Sequence, residues 1–208
     1  MVGIVFATHR EAAPFLMDSA ATRLADDAVT LFRPGEAAAI DAIVAISGMG
    51  KVAAAMAAMH LVLKWEVAAL VNIGLCGWLG DPSACGVGDI LRIHHAVEGD
   101  CDRFGAGEAA LACDLEWFPE LEAARLVTCD RPVFDTAWRK ALAALGELAD
   151  MEGAAVARVA TRYGVPCAML KGISDTADEH GRRDVARHID QIATTLAKIL
   201  MRALRSLD

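Results

Sequence analysis

The chain has 208 residues, of which 55% are hydrophobic and 23% charged, and its formal net charge is -8. This length and composition fit one α/β domain over residues 1–208 and leave little scope for extended disorder. The negative charge disfavours nucleic acid as a partner. The longest apolar run, residues 52–63, is well short of the roughly 20 residues needed to cross a bilayer.

The first residues, MVGIVFATHREAAPFL, have no basic region ahead of the apolar segment and no small-residue cleavage pattern. They therefore predict a first strand rather than a signal peptide, and we expect the protein in the cytoplasm.

The six cysteines include no C-x-x-C pair, which indicates neither a disulfide framework nor a zinc site. Cys76, within GLCG, could be a nucleophile, but no helix start or neighbouring base is present to lower its pKa. A packed residue is therefore favoured.

Short aliphatic strands alternate with alanine-rich helices, a pattern typical of a sheet with helices on both faces. In chain order we predict a strand at 2–7, a helix from about residue 10, a strand at 42–47, a helix at 52–65 and a strand at 68–73. A glycine-rich turn at 74–89, a strand at 90–94 and a polar stretch at 94–108 follow. The remainder holds a strand at 126–129, helices at 136–149 and 151–162, a strand at 166–173 and an amphipathic helix from residue 182 that covers the sheet.

The segment SGMGKVA, residues 47–53, lies between a predicted strand and a predicted helix and allows two nucleotide-binding interpretations. A phosphate-binding P-loop would need glycine in place of Ala45 and a hydroxyl in place of Val52, so that interpretation fails. A dinucleotide fingerprint fits the two glycines and the following alanine, but Asn72 stands where the fingerprint needs an acid. A tight turn that brings the backbone near another ligand is favoured, and no cofactor is predicted.

A polar cluster near the strand at 90–94 contains residue types that bind metal ions, namely His94, His95, Glu98, Asp100, Cys101 and Asp102. Their spacing is denser and less regular than that of known metal sites. A polar loop at a sheet edge explains the cluster equally well, and no metal site is predicted.

Three acids stand at junctions between predicted elements. Glu11 follows the first strand, Glu152 opens a helix, and Asp175 follows the strand at 166–173. In an open α/β sheet, ligands bind outside the carboxyl ends of the strands, where such positions converge. Each acid also has a plain structural explanation, because Glu11 and Glu152 favour a helix N-terminus and Asp175 could cap a turn. The spacing leaves a shared site and three separate structural roles as open alternatives.

Six segments, GIVFATHREAAPFL, SGMGKVAAA, VNIGLCGWLGDPSACGVGDI, GDCD, DMEGAAVARVA and ISDTAD, together resemble one protein family. They are similar to motifs of the nucleoside phosphorylase and nucleosidase superfamily, and within it of the methylthioadenosine/S-adenosylhomocysteine nucleosidases. The most specific are DMEGAAVARVA and ISDTAD, which resemble E-M-E-[AG]-x-A and I-S-D-x-A-D and place Glu152 and Asp175 23 positions apart. The resemblance spans nearly the whole chain. It implies a three-layer, single-domain α/β fold whose central mixed, mostly parallel twisted sheet is flanked by helices.

The resemblance also implies an activity, hydrolysis of the N-glycosidic bond of a purine nucleoside, most similar to a 5'-modified adenosine. It makes Asp175 the general acid that protonates purine N7, Glu11 the residue that orients or deprotonates water, and Glu152 the acceptor of ribose hydroxyl groups. Further substrate-binding residues implied by the resemblance are Met49, Val133, Phe134, Met151 and Ser174. No cofactor is implied. The family resemblance implies a homodimer or a higher homo-oligomer, in which a neighbouring chain closes the 5' end of the pocket.

Two departures from the family pattern bear on the reaction. Hexameric purine phosphorylases carry R-V-G-S-C-G, whose Arg and Ser bind phosphate, whereas NIGLCG here places Asn72 and Leu75 at those positions. Without that cation and hydroxyl, hydrolysis is favoured over phosphorolysis. Leu75 and the segment TCDRPVF also differ from the nucleosidase pattern, so alternatives stay open. These are a phosphorylase, including the hopanoid-associated type, a futalosine hydrolase, although those commonly replace the aspartate that Asp175 retains, and a nucleoside-binding protein without turnover.

Overall fold

The computed structural model describes residues 1–25, 28–101, 104, 110–114 and 116–206. Ten strands and five α-helices lie within those ranges. The strands are β1 (Val2–Phe6), β2 (Thr22–Arg23), β3 (Thr30–Arg33), β4 (Ala42–Ile46), β5 (Ala69–Trp78), β6 (Ile90–Glu98), β7 (Leu111–Ala112), β8 (Ala123–Thr128), β9 (Leu148–Asp150) and β10 (Cys167–Asp175). The helices are α1 (His9–Asp18), α2 (Lys51–Trp65), α3 (Thr136–Leu142), α4 (Gly153–Tyr163) and α5 (Gly181–Arg205).

Four parallel strands form the centre of the sheet, in the order β4, β1, β5 and β10. Strands β3 and β2 extend it beyond β4, and β9, β8 and β6 continue from the end of β5. Because β6 also pairs with β10, the strands β5, β9, β8, β6 and β10 close into a ring. Every antiparallel ladder among the described strands is two or three residue pairs long, so most paired positions are parallel. The predicted mixed, mostly parallel sheet is confirmed.

Helices cover both faces of this sheet, as the alternation of strands and helices predicts. On one face α2 and α4 pack together over apolar side chains of β1, β4, β5 and β10, and on the other α1 packs with α5. All nine residues of β10 are buried, which explains its nearly continuous apolar sequence. The predicted closing helix is confirmed as α5. No helix in the described ranges combines the length and the apolar composition that a membrane span needs.

Two predicted strand ends were wrong, because the strands run further than their apolar runs suggest. The segment from Gly74 was expected to turn, but β5 continues to Trp78. Glycine within a strand often marks a close approach by another group, and here the side chains of Glu11 and Asp175 come against Gly74 and Gly77. Similarly, β6 continues past the predicted end at residue 94 through Glu98, because it pairs with β8 along this length.

The predicted helix at 136–149 was also wrong in its second half. Helix α3 ends at Leu142, and Leu148–Asp150 form β9, which pairs with both β5 and β8. A strand of three residues is too short to show a period of two, so sheet pairing rather than local pattern decides its structure. The next helix begins at Gly153, two residues later than predicted. The short strands β2, β3 and β7 were not predicted.

Gly172 allows α5 to lie directly on β10. A Cβ atom at this position would lie 2.2 Å from Ile192 Cγ2 and 3.0 Å from Ile90 Cδ1. We expect Gly172→Ala to lower the free energy of unfolding by about 1–3 kcal/mol, because the helix must shift away from the sheet. Urea unfolding measures this change. Gly86→Ala is the matched control, since a Cβ there has no atom within 4 Å, and an equal loss in both variants would contradict the packing argument.

Candidate active site

A cavity of about 490 Å³ opens at the carboxyl ends of β1, β5 and β10. In a parallel sheet these ends form the usual ligand crevice, because the loops that follow the strands diverge there. Its wall contains all eight residues that the sequence nominates for catalysis or substrate binding: Glu11, Met49, Val133, Phe134, Met151, Glu152, Ser174 and Asp175. The structure thus brings these residues together, while their individual roles stay predictions.

Glu11 is held by the loop between β1 and α1. Its Oε2 accepts hydrogen bonds from the Thr8 backbone N at 2.9 Å and from Thr8 Oγ1 at 2.7 Å. The first of these and the bond from the Glu11 backbone N to Thr8 Oγ1 at 3.3 Å form a reciprocal capping box at the start of α1. Its Oε1 accepts from the backbone N of Leu75 at 3.1 Å. The carboxylate can lie this close to β5 because Gly74 has no side chain; a Cβ there would lie 2.9 Å from Glu11 Oε1. The spacing T-x-x-E at residues 8–11 is a sequence signal for this cap.

Glu152 stands before α4 and is 8% exposed. Its Oε1 accepts a hydrogen bond of 2.7 Å from the backbone N of Gly50, the residue that precedes α2. Burial, followed by the neighbouring Asp150 carboxylate, raises the pKa of Glu152 to about 7; Lys171 and the Gly50 N–H oppose that rise. The carboxyl group therefore changes charge near neutral pH.

A buried ion pair that was not predicted from the sequence lies beside Glu152. Lys171 Nζ and Asp150 Oδ2 are 2.7 Å apart, and both side chains are 1% exposed. Asp150 Oδ2 also accepts from the backbone N of Gly153, and its Oδ1 accepts from Thr128 Oγ1 at 2.6 Å. Thr128 Oγ1 in turn accepts from the backbone N of Ala154. These contacts satisfy the start of α4 and keep both charges paired, as buried charges require. A lysine inside the apolar segment CAMLKGIS was the available signal.

Asp175 ends β10 and is 3% exposed. A register shift between Ile173 and Asp175 marks a bulge in the pairing with β5, of the kind that redirects side chains at strand ends. Asp175 Oδ1 accepts from the backbone N of Ala177 at 2.8 Å, and Oδ2 lies 2.8 Å from Ser174 Oγ. Burial raises the pKa of Asp175 to about 6, although the bonds from Ser174 and Ala177 lower it. Gly77 leaves room for the carboxyl group, since a Cβ there would lie 3.0 Å from Asp175 Oδ1.

The remaining wall of the cavity is mostly apolar. Val133 is buried, whereas the side chain of Met49 is 70% exposed at the rim. The ring of Phe134 lies against Gly181, where a Cβ would come within 2.4 Å of it, and the Arg182 guanidinium is 5.8 Å from its centroid. Arg182 also lines the cavity and was not predicted. An apolar chamber with a few convergent polar groups is typical of a small-molecule site.

Other residues considered from the sequence have different contacts. Asn72 is buried and donates from Nδ2 to the Val5 carbonyl at 3.2 Å, away from the turn that carries the two glycines. Cys76 is buried, and desolvation raises the pKa of its thiol well above the ordinary value, which disfavours the nucleophilic thiolate. Cys76 is therefore a small buried residue that packs in the core.

The polar cluster after β6 divides among separate partners. His94 Nδ1 and His95 Nδ1 lie 2.7 Å apart, Glu98 pairs with Arg158, and Asp100 pairs with Lys51. Cys101 is exposed, and Asp102 lies outside the described residues. Across the described ranges, no three side chains of the types that hold metal ions are grouped as a site.

Comparison with known proteins identifies the class of protein to which this fold and this cavity belong. A family model described as "Phosphorylase superfamily" matches residues 1–205, and the chain belongs to that superfamily. Among curated relatives, the 5'-methylthioadenosine/S-adenosylhomocysteine nucleosidase of Shewanella baltica (strain OS155) is 29% identical over 213 residues, 85% of this chain and 84% of the relative. The enzyme of the same name from Shewanella oneidensis is 26% identical over 239 residues and covers 100% of this chain and 97% of its own.

Solved structures agree on the fold. The 5'-methylthioadenosine/S-adenosylhomocysteine nucleosidase of S. pneumoniae, solved with the transition-state inhibitor MT-ImmA, superposes with a TM-score of 0.91 at 22% identity, covering 100% of this chain and 99% of that one. Futalosine hydrolase of Helicobacter pylori superposes with a TM-score of 0.88 at 22% identity, covering 100% and 97%. At these identities the likeness establishes the nucleoside phosphorylase-like fold alone.

The raised pKa of Asp175 has a consequence for stability. Ionising this carboxyl group costs more in the folded protein than in the unfolded chain, so its contribution to stability is complete below about pH 4 and is lost as the pH rises through about 6. We expect Asp175→Asn to raise the free energy of unfolding at pH 8 by about 1–3 kcal/mol and to leave it unchanged at pH 4. Urea unfolding at both pH values measures this difference.

The control for that experiment is Glu179→Gln, which neutralises an exposed carboxylate four positions away. We expect no pH-dependent gain from it. A gain of equal size at pH 4 and pH 8 in Asp175→Asn would contradict the ionisation argument and would attribute the effect to packing instead.

Proposed function

We propose that the chain is a nucleosidase that hydrolyses the N-glycosidic bond of a purine nucleoside, with 5'-modified adenosines as the substrate class. The observation that carries this proposal is the meeting of three buried carboxyl groups, those of Glu11, Glu152 and Asp175, in one cavity. The relatives named above support both the reaction and the substrate class, since their names describe 5'-methylthioadenosine and S-adenosylhomocysteine nucleosidases.

Asp175 is the general acid in this proposal. Breaking the bond between C1' and the purine leaves positive charge on the sugar and negative charge on the departing base, so the base must receive a proton. With a pKa of about 6, roughly one Asp175 carboxyl group in ten carries a proton at pH 7 before substrate binds. That proton passes to purine N7 as the electrons of the broken bond move onto the base. Ser174 and Ala177 fix the two carboxyl oxygens for this transfer.

Glu11 positions the attacking water and accepts a proton from it. Its two oxygens together accept three hydrogen bonds from Thr8 and Leu75, which leaves acceptor capacity for one water molecule. The water oxygen bonds to C1', its proton moves to Glu11, and the products are free purine and a sugar with a hydroxyl group at C1'. The rigid capping box supports this role, because a base must be oriented before the reaction begins.

Glu152, when ionised, accepts hydrogen bonds from the ribose 2' and 3' hydroxyl groups. A negative charge at this position also favours the cationic sugar of the transition state. The working form has Glu152 ionised and Asp175 protonated, although the pKa values of about 7 for Glu152 and about 6 for Asp175 favour the opposite arrangement. This form is a minority at every pH, and its population is greatest between about pH 6 and about pH 7.

The wall of the cavity favours water over phosphate as the nucleophile. Leu75 presents a hydrocarbon side chain next to Glu11, where a phosphate ion would need donors. Asn72 is not part of the cavity wall, and its Nδ2 donates to the Val5 carbonyl. Among the described lining residues the one cation is Arg182, whose guanidinium lies over Phe134, in the segment that we assign to the base. A phosphate ion beside Glu11 would therefore meet a negative charge without compensating donors.

The reaction can be tested directly. In phosphate-free buffer we expect the protein to release free base from methylthioadenosine or adenosylhomocysteine, and Asp175→Asn to slow that release by about 10²–10⁴-fold because the proton donor is lost. Chromatography of the base over time, with inosine and futalosine as further substrates, measures both. Glu179→Gln is the matched control and should retain full activity. Base release that requires added phosphate would establish the phosphorylase instead, and tight nucleoside binding without release would establish the binding protein.

We also propose that a second copy of the chain covers an exposed apolar stripe on α2. The stripe consists of Val52, Met56, Met59 and Leu63, whose exposed fractions run from 40% at Met59 to 75% at Val52. The opposite face of α2 is buried on the sheet, so the helix is apolar on both sides, as expected of one buried in an assembly. The stripe continues to Met49, which lines the cavity. In a chain of net charge -8, residues 51–65 include no acid, so two copies can meet here without repulsion.

A charge in the centre of the stripe should separate the copies. We expect the protein to sediment as a homodimer or a higher oligomer and Met56→Glu to sediment as a monomer with a raised KM, because the cavity rim at Met49 loses its cover. Met17→Glu is the control, since Met17 is 77% exposed on α1, away from the stripe. Analytical ultracentrifugation decides the matter. A monomeric wild-type protein, or a Met56→Glu variant that still sediments as the oligomer, would overturn the proposal.

A further inference from the structure

Lys51 occupies a position that the helix itself disfavours. It is the first residue of α2, where the unpaired N–H groups of the helix carry partial positive charge, and a cation there is repelled. Gly50, which precedes it, supplies no side-chain cap. The Lys51 side chain is nevertheless only 15% exposed. A residue that goes against the local electrostatic preference usually has a compensating contact elsewhere.

That contact is a clamp formed by Lys51, Asp100 and Asp130. Lys51 Nζ lies 2.6 Å from Asp100 Oδ1 and 3.3 Å from Asp130 Oδ1. Asp100 Oδ2 accepts a hydrogen bond from the backbone N of Asp130. Asp100 follows β6 and Asp130 follows β8, so the clamp joins the loops after two strands to the start of α2. The exposed fraction of the Asp100 side chain is 20%, which limits screening of the pair by solvent.

The two segments joined by the clamp both border the cavity. On one side is the turn Gly48–Met49–Gly50, whose backbone N at Gly50 donates to Glu152. Both glycines have positive φ values, 87° and 98°, and Met49 is 70% exposed, so burial does little to fix this turn. On the other side, Asp130 precedes the segment 132–134, which lines the cavity. Backbone hydrogen bonds, such as that from the Gly48 N to the Ala7 carbonyl, hold the start of this turn, and the clamp at Lys51 adds an anchor at its other end, outside the cavity.

We propose that Lys51 is a positioning residue, which through Asp100 and Asp130 holds the Gly50 N–H on Glu152 and fixes the segment 132–134 against the cavity. It touches no reacting atom. The inference rests on the proposed function for its effect on catalysis, but its effect on the turn is independent of any reaction.

The charge on Glu152 gives a means of detecting this role. The groups that face Glu152 are the carboxyl groups of Asp150 and Glu11, the ammonium group of Lys171 and the Gly50 N–H. The first two favour its neutral form and the last two favour its ionised form. If the clamp is released, the Gly50 N–H is no longer held in place and the pKa of Glu152 rises. The optimum of kcat/KM against pH then moves to higher pH and its peak falls, because Glu152 must be ionised while Asp175 stays protonated.

Two substitutions separate positioning from a simple effect of charge. Lys51→Met removes a positive charge and Asp100→Asn removes a negative one, and both release the clamp. If Lys51 acts by positioning, both variants move the optimum to higher pH and lower kcat/KM at pH 7 by about 10- to 100-fold. If it acts only through its field, Asp100→Asn moves the optimum to lower pH, opposite to Lys51→Met. Opposite movements would overturn the proposal.

Matched variants complete the experiment. Lys198→Met removes an exposed lysine from α5 and should leave the profile unchanged. Lys51→Arg keeps the cation and should restore most of the kcat/KM lost in Lys51→Met. Loss of activity without movement of the optimum, or no rescue by Lys51→Arg, would reduce Lys51 to a structural role and contradict the inference.

Hydrogen exchange provides a readout that needs no turnover, so that failure of this inference differs from failure of the proposed function. We expect the Gly50 amide to exchange about tenfold faster or more in Lys51→Met and Asp100→Asn than in the wild-type protein and Lys198→Met, because the amide is no longer held against its acceptor, Glu152. NMR or mass spectrometry of the peptide that contains residues 47–51 measures this. A wild-type protein without base release would reject the proposed function alone, whereas unchanged Gly50 exchange in both clamp variants would reject the role of Lys51.

Discussion

Two glycines in β5 create the space in which the carboxyl groups of this cavity lie. Glu11 and Asp175 approach the strand at Gly74 and Gly77, where a Cβ atom would stand 2.9 Å and 3.0 Å from a carboxyl oxygen. Any larger residue would displace one of these acids from its donors. The central position of β5, between β1 and β10, then sets the geometry of the site, because those two strands deliver Glu11 and Asp175 to its opposite sides.

Several carboxyl groups lie close together in this narrow space, and few cations or hydrogen-bond donors compensate their negative charge. One lysine, Lys171, is buried beside Asp150, and backbone N–H groups serve the other acids. Lys171 and the Gly50 N–H lower the pKa of Glu152 only in part, so burial keeps it near 7, and the same desolvation keeps that of Asp175 near 6. Under-compensation of this kind is what acid–base chemistry at neutral pH requires, since a fully paired carboxylate has a depressed pKa and cannot carry a proton.

The three acids could be singled out from the sequence more readily than some of the elements that hold them. Glu11, Glu152 and Asp175 stand at junctions between predicted elements, but their spacing left a shared site and separate structural roles open, and the resemblance to the nucleosidases assigned them to one site. Strand β9 was not found, since three residues carry no period and its pairing with β5 and β8 is a property of the closed ring. The glycines of β5 were assigned to a turn. Their role is to leave space for the carboxyl groups of Glu11 and Asp175, and this role is visible only in the tertiary contacts.

The clamp also could not be predicted from the sequence, because its three residues are far apart along the chain and meet only through tertiary contacts. Lys51, Asp100 and Asp130 are separated by 49 and 30 positions, and each alone is an ordinary charged residue beside a turn. Together they join the loops after β6 and β8 to the start of α2. Glu11, Glu152 and Asp175 each accept a hydrogen bond from a backbone N–H, which leaves little freedom in the positions of their carboxyl groups. The segment 132–134 and the rim at Met49 depend instead on side-chain contacts, and differences in substrate among related chains can arise there without disturbing the carboxyl groups.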